Sequence, residues 1–254
     1  MKAWAIAMNT FREAVRNKIL YALLFFALGM IVVGMFMGRL SLDQNARIIQ
    51  DIGLYCIALF GVVIAIFMGV NLLHEEIQRR TIFVLLSKPI HRGTFVVGKY
   101  LGMLLTLAVH VLVMGAAVAF LLWQEGSEVH IAFYQALGLA FVEILVVAAV
   151  AVVFSSFSTP YLSGLFTFGV FVLGRLQGDL VTHIPKLEPA AIRGLVSAVA
   201  AILPGLHRFD LTIQVIHNQA VAWSTVFWSV AYGVSYAAVV LTLAVLLFGR
   251  RDFV

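Results

Sequence analysis

The stretch IAFYQALGLAFVEILVVAAVAVVF, residues 131–154, decides the fold because it runs for 24 residues with Glu143 as its one charged side chain. A helix needs about 20 apolar residues to cross the hydrocarbon core of a bilayer, which is about 30 Å thick. Four further runs meet that length, and a shorter sixth run opens with Thr159-Pro160, a pair that suits the start of a helix. We therefore predict an all-α integral membrane protein with six transmembrane helices, at 19–37, 54–73, 101–123, 131–154, 161–176 and 225–249.

The composition of the chain agrees with this prediction. Of its 254 residues, 63% are hydrophobic and 11% are charged, whereas soluble domains average about 45–50% apolar and about 25% charged residues. The mean hydropathy of +1.04 excludes a disordered chain, and the single cysteine, Cys56, excludes a disulfide framework. Unbroken apolar runs also exclude the short alternating strands of a membrane β-barrel.

Lysine and arginine are unequally divided between the two sides of the six predicted spans. With the N-terminus inside, 11 of them flank the spans on the cytoplasmic side and 6 on the outer side. Cytoplasmic loops carry the excess of basic residues, so we expect both termini in the cytoplasm, and the net charge of +5 requires no nucleic acid. The cytoplasmic set is Lys2, Arg12, Arg16, Lys18, Arg79, Arg80, Lys88, Arg92, Lys99, Arg250 and Arg251, and the outer set is Arg39, Arg47, Arg175, Lys186, Arg193 and Arg208.

Two segments outside the spans are predicted to be helical. In residues 1–18, Trp4, Met8, Phe11 and Val15 recur at helical spacing with polar residues between them, which is typical of an amphipathic helix at a membrane surface. The predicted outer loop 177–223 is too long to be structureless. Its apolar stretch 190–203 has 14 residues, a length that suits a re-entrant or interfacial helix better than a span. The whole chain, 1–254, is predicted to form one transmembrane domain.

The segment HEEIQRRTIFVLLSKPIHRGTFVVGK, residues 74–99, separates the second and third spans. Its acidic pair stands four residues before its arginine pair, a spacing that supports a helix. Residues 81–86 are apolar yet too short to cross a bilayer. An apolar stretch in a charged loop needs a cover, either the membrane surface or another protein. We favour a protein partner.

Several motifs of this chain resemble the permease subunits of type-2 ABC exporters. They are the acidic pair followed by R-R-T, the run L-L-S-K-P-I-x-R, the sequence G-K-Y-L-G at a helix start, S-S-F-S-T-P at 155–160, and L-P-G-L-x-R-F at 203–209. Their order and spacing are most similar to those of the compact six-span permeases encoded without a fused ATPase, a group that includes the permease for nitrous-oxide reductase maturation.

The resemblance implies a function and a set of contact residues. In that family the N-terminal helix is an elbow helix, and the segment after the second span is a coupling helix that docks on a separate ATP-binding subunit. The permease works as a dimer in a bacterial inner membrane and exports a substrate, while ATP and Mg²⁺ bind the partner subunit. The coupling residues carried over by position are Glu75, Glu76, Arg79, Arg80, Thr81, Leu85, Lys88, Pro89 and Arg92.

One near match to a nucleotide motif is rejected. Residues 93–100 read GTFVVGKY, which resembles the phosphate loop G-x-x-x-x-G-K-[ST]. Tyr100 cannot supply the small hydroxyl that coordinates Mg²⁺, and no strand precedes the glycines. We therefore expect a non-catalytic subunit without a cofactor or metal of its own.

His110 and Glu143 are the two ionisable residues that lie deepest within predicted spans. Their depths from the cytoplasmic side are about 13 and 16 Å at 1.5 Å per residue, so the two side chains could meet. Ionisable residues inside a membrane are functional candidates because burying them is costly. The alternative is a structural pair that ties two helices together. If the pair carries protons, an alternative function is a stand-alone secondary transporter or channel.

Overall fold

The computed structural model describes residues 2–39, 45–78, 91–184, 190–217, 219 and 221–249. Most of these residues are helical and no strand lies among them, as the sequence predicts. The helices are α1 (Lys2–Val15), α2 (Lys18–Arg39), α3 (Asn45–Gln78), α4 (Arg92–Gln124), α5 (Ile131–Phe157), α6 (Pro160–His183), α7 (Ala190–Ile202), a 3₁₀ helix (Leu206–Phe209), α8 (Thr212–Ile216) and α9 (Trp223–Gly249).

Six of these helices are long and apolar enough to cross a membrane, which confirms the six predicted spans. The spanning parts are Lys18–Gly38, Asn45–Leu72, Gly93–Gln124, Ile131–Phe157, Pro160–His183 and Trp223–Gly249. All six extend beyond their predicted bounds at one end at least, and the largest extensions are in α3, α4 and α6. Helix α3 begins nine residues before Leu54, and α6 continues seven residues into the predicted loop 177–223. The predicted bounds were narrower because Arg47 and Asp51 precede Leu54 in α3 and Asp179 follows Leu176 in α6.

Helix α5 forms the centre of the bundle. It contacts α3, α4, α6 and α9, and 67% of the residues in its most apolar stretch are buried. Alanine and valine dominate its buried positions, and glycines on its neighbours allow close approach. A Cβ at Gly69 of α3 would lie 2.5 Å from the Cβ of Ala151, and a Cβ at Gly61 would overlap Ile144. Small residues at helix contacts are typical of membrane bundles, where packing holds helices together.

Helix α1 packs against the first turns of α4. Its buried face consists of the small residues Ala7, Thr10 and Ala14, whereas Trp4 is 59% exposed. A Cβ at Gly102 of α4 would overlap the carbonyl oxygen of Ala7. The predicted helix therefore forms, and the large apolar side chain of Trp4 stays free to meet lipid. Its location at a membrane surface remains a prediction.

The end of α9 lies beside the start of α4. The rings of Phe95 and Phe248 stack with their centroids 6.4 Å apart, and a Cβ at Gly93 would lie 3.0 Å from Val245. Helix α1, the start of α4 and the end of α9 therefore gather at one end of the bundle, which we call the terminal end.

Helices α7 and α8 form a bent pair of helices, residues 190–217, at the opposite end of the bundle; we call this bent pair the hairpin and this end the hairpin end. Its two arms, Arg193–Ile202 and Leu206–Ile216, meet at a 44° bend and pass the length test for a membrane span only when taken together. Leu203 and Leu206 are buried at the bend, while Leu195 and Ile202 on α7 are 68% and 75% exposed. Whether α7 is re-entrant or interfacial stays a prediction.

Candidate functional site

The predicted coupling segment is described only at its two flanks. Glu75 and Glu76 lie in the last turns of α3, and Arg92 is the first residue of α4. Because α3 and α4 contact each other, the segment connects two neighbouring helices. The other coupling candidates lie outside the described residues: Arg79, Arg80, Thr81, Leu85, Lys88 and Pro89.

The near match to a phosphate loop has a structural role. Gly98 and Gly102 face α1, where a Cβ at Gly98 would lie 2.9 Å from the carbonyl oxygen of Ala3. The Lys99 ammonium lies 3.7 Å from the Glu13 carboxylate, and the lysine side chain is 7% exposed. These glycines therefore let two helices approach, and Lys99 contributes to the same contact between α1 and α4.

Glu143 belongs to an ion cluster that joins α5, α6 and the hairpin. The Nε and Nη2 groups of Arg175 donate hydrogen bonds to Oε1 and Oε2 of Glu143, each at 2.9 Å. The Nη1 group donates a longer hydrogen bond of 3.4 Å to Oδ2 of Asp210. The Glu143 side chain is 1% exposed, against 25% for Arg175 and 31% for Asp210. A carboxylate buried so completely requires such a partner because isolated buried charge is very costly.

Neighbouring groups hold this ion cluster in place. The Oδ1 atom of Asp210 accepts hydrogen bonds from the amide and the hydroxyl of Thr212, at 3.0 and 2.6 Å, so Asp210 also holds the first residue of the short helix α8. The Arg175 guanidinium lies 5.6 Å from the ring centroid of Phe171. Tyr55 of α3 lies beside the cluster and lines one small cavity together with Arg175 and Asp210. The cluster thus connects three spans to the hairpin.

The structure gives His110 and Glu143 different partners. The Nδ1 atom of His110 hydrogen-bonds to the carbonyl of Thr106 one turn earlier, at 2.8 Å, while both oxygens of Glu143 face Arg175. Among the described residues no hydrogen bond joins the two candidates. Arg175 was expected only as a flanking basic residue and its pairing was not predicted, although an arginine at the end of an apolar run is itself a signal of an intramembrane partner.

Two cavities adjoin Arg175. The larger, of about 450 Å³, lies between α2, α3 and α6 and is walled mainly by apolar side chains. The smaller, of about 20 Å³, lies within the ion cluster and is lined by Glu143 and Asp210. Tyr55, Ala58 and Arg175 line both cavities and therefore form the boundary between them. The smaller has room for about one water molecule among polar partners.

Tyrosine hydroxyls fasten the hairpin to α9. Tyr232 accepts a hydrogen bond from the amide of Gly205 at 3.0 Å, and Tyr236 donates one to the carbonyl of Ile202 at 2.9 Å. On the side of α6, a Cβ at Gly174 would lie 2.8 Å from the carbonyl oxygen of Pro204. The hairpin is thus held by polar contacts to α9 and by close packing on α6.

Comparison with known proteins identifies the family. The family model described as "ABC-2 family transporter protein" matches residues 4–253, almost the whole chain. A comparison with the curated proteins gives no match. The family match agrees with the six long apolar helices and with the resemblance seen in the sequence motifs. The chain therefore belongs to the ABC-2 transporter family and is a multi-pass membrane permease subunit of an ABC transporter.

Proposed function

We propose that this permease exports its substrate by coupling to a separate ATP-binding subunit, and that the segment 74–99 is the docking site. The family match over residues 4–253 carries the proposal. The flanks of the segment support it, because α3 ends and α4 begins at the terminal end of the bundle, where α1 and the end of α9 also lie. The two flanks of the segment and the helices around them therefore lie at the same end of the bundle, where one partner subunit can contact all of them.

We infer that the terminal end faces the cytoplasm of a bacterium, with the protein in the inner membrane. The excess of lysine and arginine in the segments at that end supports this orientation. The hairpin then lies at the outer side. A second copy of the chain completes the transporter, and two ATP-binding subunits supply Mg²⁺-dependent ATP hydrolysis.

Helix α4 offers a direct mechanical path for coupling. It begins at Arg92 beside the segment and continues unbroken to Gln124 at the hairpin end. Close packing at Gly98 and Gly102 joins α1 to its first turns, so a displacement of the segment moves α1 and α4 as one body. Closure of the ATP-binding subunits would then rock the two permease copies against each other.

The proposal is tested by purifying the tagged protein from native membranes in mild detergent. We expect a stoichiometric ATP-binding subunit and ATPase activity in the purified complex. Arg79→Glu together with Leu85→Asp should remove that subunit, whereas the control Arg193→Glu, a charge reversal at the hairpin end, should retain it. A stable permease purified alone and without ATPase activity would contradict the proposal.

The alternative function, a proton-coupled secondary transporter or channel, finds no support from the geometry of its two candidate residues. Both oxygens of Glu143 are committed to Arg175, and His110 is bonded within its own helix. Glu143→Gln tests the role of this carboxylate. We expect altered transport-coupled ATPase activity, because the change removes the charge that orients Arg175. Unchanged activity in an intact complex would remove Glu143 from the mechanism.

A further inference from the structure

Three basic side chains stand at the corner where α1 ends and α2 begins. Arg12, Arg16 and Lys18 are all exposed, and none of them has a hydrogen bond or an ion pair with a residue that the structure describes. Arg12 and Arg16 are four residues apart at the end of a helix, a spacing at which like charges repel each other. The carboxylate of Glu13, between them in the sequence, lies 3.7 Å from Lys99 instead. The corner therefore carries positive charge that no ion pair offsets within the described part of the chain.

The length of α2 indicates the depth of this corner in a bilayer. The spanning part of α2, Lys18–Gly38, has 21 residues, which is about 31 Å at 1.5 Å per residue. The hydrocarbon core is about 30 Å thick, so a helix of this length leaves its first residue at the boundary with the headgroups. Arg16 precedes that helix by two residues, and long basic side chains extend from such positions toward water and headgroups. The corner thus lies at the depth of the lipid phosphate groups.

Helix α1 has three different faces around its axis. Ala7 and Thr10 face α4, whereas Trp4 and Val15 belong to an exposed apolar stripe. At about 100° per residue, the centre of that stripe lies roughly 100° from the face on α4, and Arg12 lies roughly 70° beyond it. Arg12 is therefore almost opposite α4. With the apolar stripe toward the acyl chains, as in an interfacial helix, the basic side chain points sideways into the headgroup layer and away from the bundle.

We propose that Arg12, Arg16 and Lys18 bind the phosphate groups of acidic phospholipids in the leaflet around the terminal end. A planar guanidinium donates parallel hydrogen bonds to phosphate oxygens. A zwitterionic headgroup brings its own cation to the site, whereas an acidic headgroup leaves its negative charge to the three basic side chains, so charge complementarity selects the acidic lipid. The direction of Arg12, away from the bundle, favours a lipid over a protein subunit as the occupant.

An acidic lipid at this corner bears on coupling. A Cβ at Gly98 of α4 would lie 2.9 Å from the carbonyl oxygen of Ala3 in α1, so α1 and the first turns of α4 can move only together. Helix α4 begins at Arg92, beside the coupling segment. A lipid that holds α1 at the headgroups therefore holds the start of α4 as well, and a push on the segment is not lost in displacing α1. This consequence rests on the proposed exporter function, whereas the lipid site does not.

The lipid preference is measured with one fluorescent reporter beside the corner. All four tryptophans of the chain are exposed and are replaced by phenylalanine, and Phe11→Trp supplies the reporter on the apolar stripe next to Arg12. The full chain is placed in nanodiscs of phosphatidylcholine that contain equal fractions of dibrominated phosphatidylglycerol or dibrominated phosphatidylcholine, and quenching gives the relative affinity of the two lipids. We expect phosphatidylglycerol to be favoured at least about fivefold at low salt, the effect of one basic residue near acidic lipid. Equal quenching by the two lipids would overturn the proposal.

Substitutions at the corner itself sharpen the test. Because the three side chains are exposed, their replacement should leave the fold intact. Arg12→Gln with Arg16→Gln and Lys18→Gln should abolish the preference for phosphatidylglycerol, and a preference that survives would overturn the proposal. Arg12→Lys with Arg16→Lys is the matched control, since it alters the same positions and keeps their charge, and it should retain most of the preference. Loss of the preference in this control as well would exclude charge as its origin and would also overturn the proposal.

Two further arms distinguish other occupants of the corner. Excess soluble glycerol phosphate should leave the quenching by phosphatidylglycerol unchanged. Loss of the preference in its presence would assign the corner to a free phosphate compound and overturn the lipid proposal. The ATP-binding subunit, added to form the complex, should also leave the preference in place. A preference that disappears in the complex would show that this subunit covers the corner, and would overturn the proposal in the same way.

ATP hydrolysis by the complex separates the lipid site from the exporter function. Phosphatidylglycerol should raise the ATPase rate several-fold in the unmodified complex and should have no effect in the triple glutamine variant. A rate that does not respond to the lipid would refute the role in coupling. A preference for phosphatidylglycerol in a protein that purifies without an ATP-binding subunit would leave the lipid site standing and refute the exporter. A working ATPase complex without any lipid preference would do the reverse.

Discussion

The buried pair of Glu143 and Arg175 should dominate the stability of the hairpin end. Arg175→Gln removes two hydrogen bonds of 2.9 Å from a carboxylate that is 1% exposed. Hydrogen bonds to charged groups contribute about 1.5–3 kcal/mol each, and breaking a buried ion pair from one side costs about 3–5 kcal/mol. We therefore expect the unfolding free energy to fall by about 3–5 kcal/mol.

A double-mutant cycle measures the coupling directly. Glu143→Gln should cost less, about 1–2 kcal/mol, because the Arg175 that it leaves is partly exposed and keeps Asp210. The double variant should cost clearly less than the sum, with a coupling energy of at least about 2 kcal/mol. Reversible unfolding in mixed micelles of dodecyl maltoside and dodecyl sulfate provides the assay. Additive losses would refute the reasoning. The control Arg208→Gln removes only a cation–π contact with Tyr232 and should cost about 0.5–1 kcal/mol.

Three further outcomes are expected. Gly102→Ala forces a Cβ against Ala7 and should lower stability by about 1–3 kcal/mol in thermal unfolding. The control Gly169→Ala has open space around its Cβ and should leave stability unchanged. Equal effects of the two substitutions would contradict the packing of α1 on α4. Tyr236→Phe loses the hydrogen bond to Ile202 and should speed amide hydrogen exchange across residues 203–216 by a factor that corresponds to about 0.5–1.5 kcal/mol. An unchanged exchange rate would show that this bond does not hold the hairpin. The pKa of His207 is lowered from 6.5 by burial and by Arg208, against the opposing charge of Asp179, so the stability that its neutral form contributes is present above pH 6.5 and lost as the pH falls below it. The protection factors of the hairpin amides, in which the intrinsic pH dependence of exchange is divided out, should therefore fall with acidification and lose that trend in His207→Gln.

The six spans could be predicted from the sequence because bilayer thickness sets a length that few other structures satisfy. Runs such as 131–154 exceed that length with a single charge, so no tertiary information is needed. The true ends of α3 and α6 could not be obtained in this way. Arg47 and Asp51 precede the apolar run that begins at Leu54, and Asp179 follows the run that ends at Leu176, so composition alone gives no reason to extend either helix.

The ion cluster could be anticipated only in part. Glu143 is conspicuous because it is alone in its run, and the cost of burying it predicts a partner. Sequence spacing cannot choose that partner, since Arg175 is 32 residues away and Asp210 lies still farther along the chain, within the hairpin. Depth along the helices suggested His110, but the Nδ1 atom of His110 instead hydrogen-bonds to the carbonyl of Thr106. Depth restricts which residues can meet, but the rotation of each helix decides which ones do.

Helix α1 shows a second limit of sequence patterns in membranes. Its large residues recur at helical spacing, yet Ala7, Thr10 and Ala14 form the buried face and Trp4 is exposed. In water the hydrophobic effect would bury the large side chains, but in lipid they gain nothing by leaving the bilayer, and close backbone approach through small residues decides the contact. Hydrophobic periodicity therefore predicts that a helix forms but not which face packs.

The helices are held together by different kinds of contact at the two ends of the bundle, and this difference determines where motion occurs. At the terminal end, α1 meets α4 through glycine and alanine at backbone distance, and such packing holds only in one arrangement because interiors are dense. At the hairpin end, Asp210 and the hydroxyls of Tyr232 and Tyr236 make hydrogen bonds that can be exchanged for a ligand or for water. A rigid terminal end can transmit a push from a partner subunit, whereas exchangeable polar contacts can release the hairpin. The chemistry of the contacts thus favours a rigid body at the coupling segment and a gate at the opposite end.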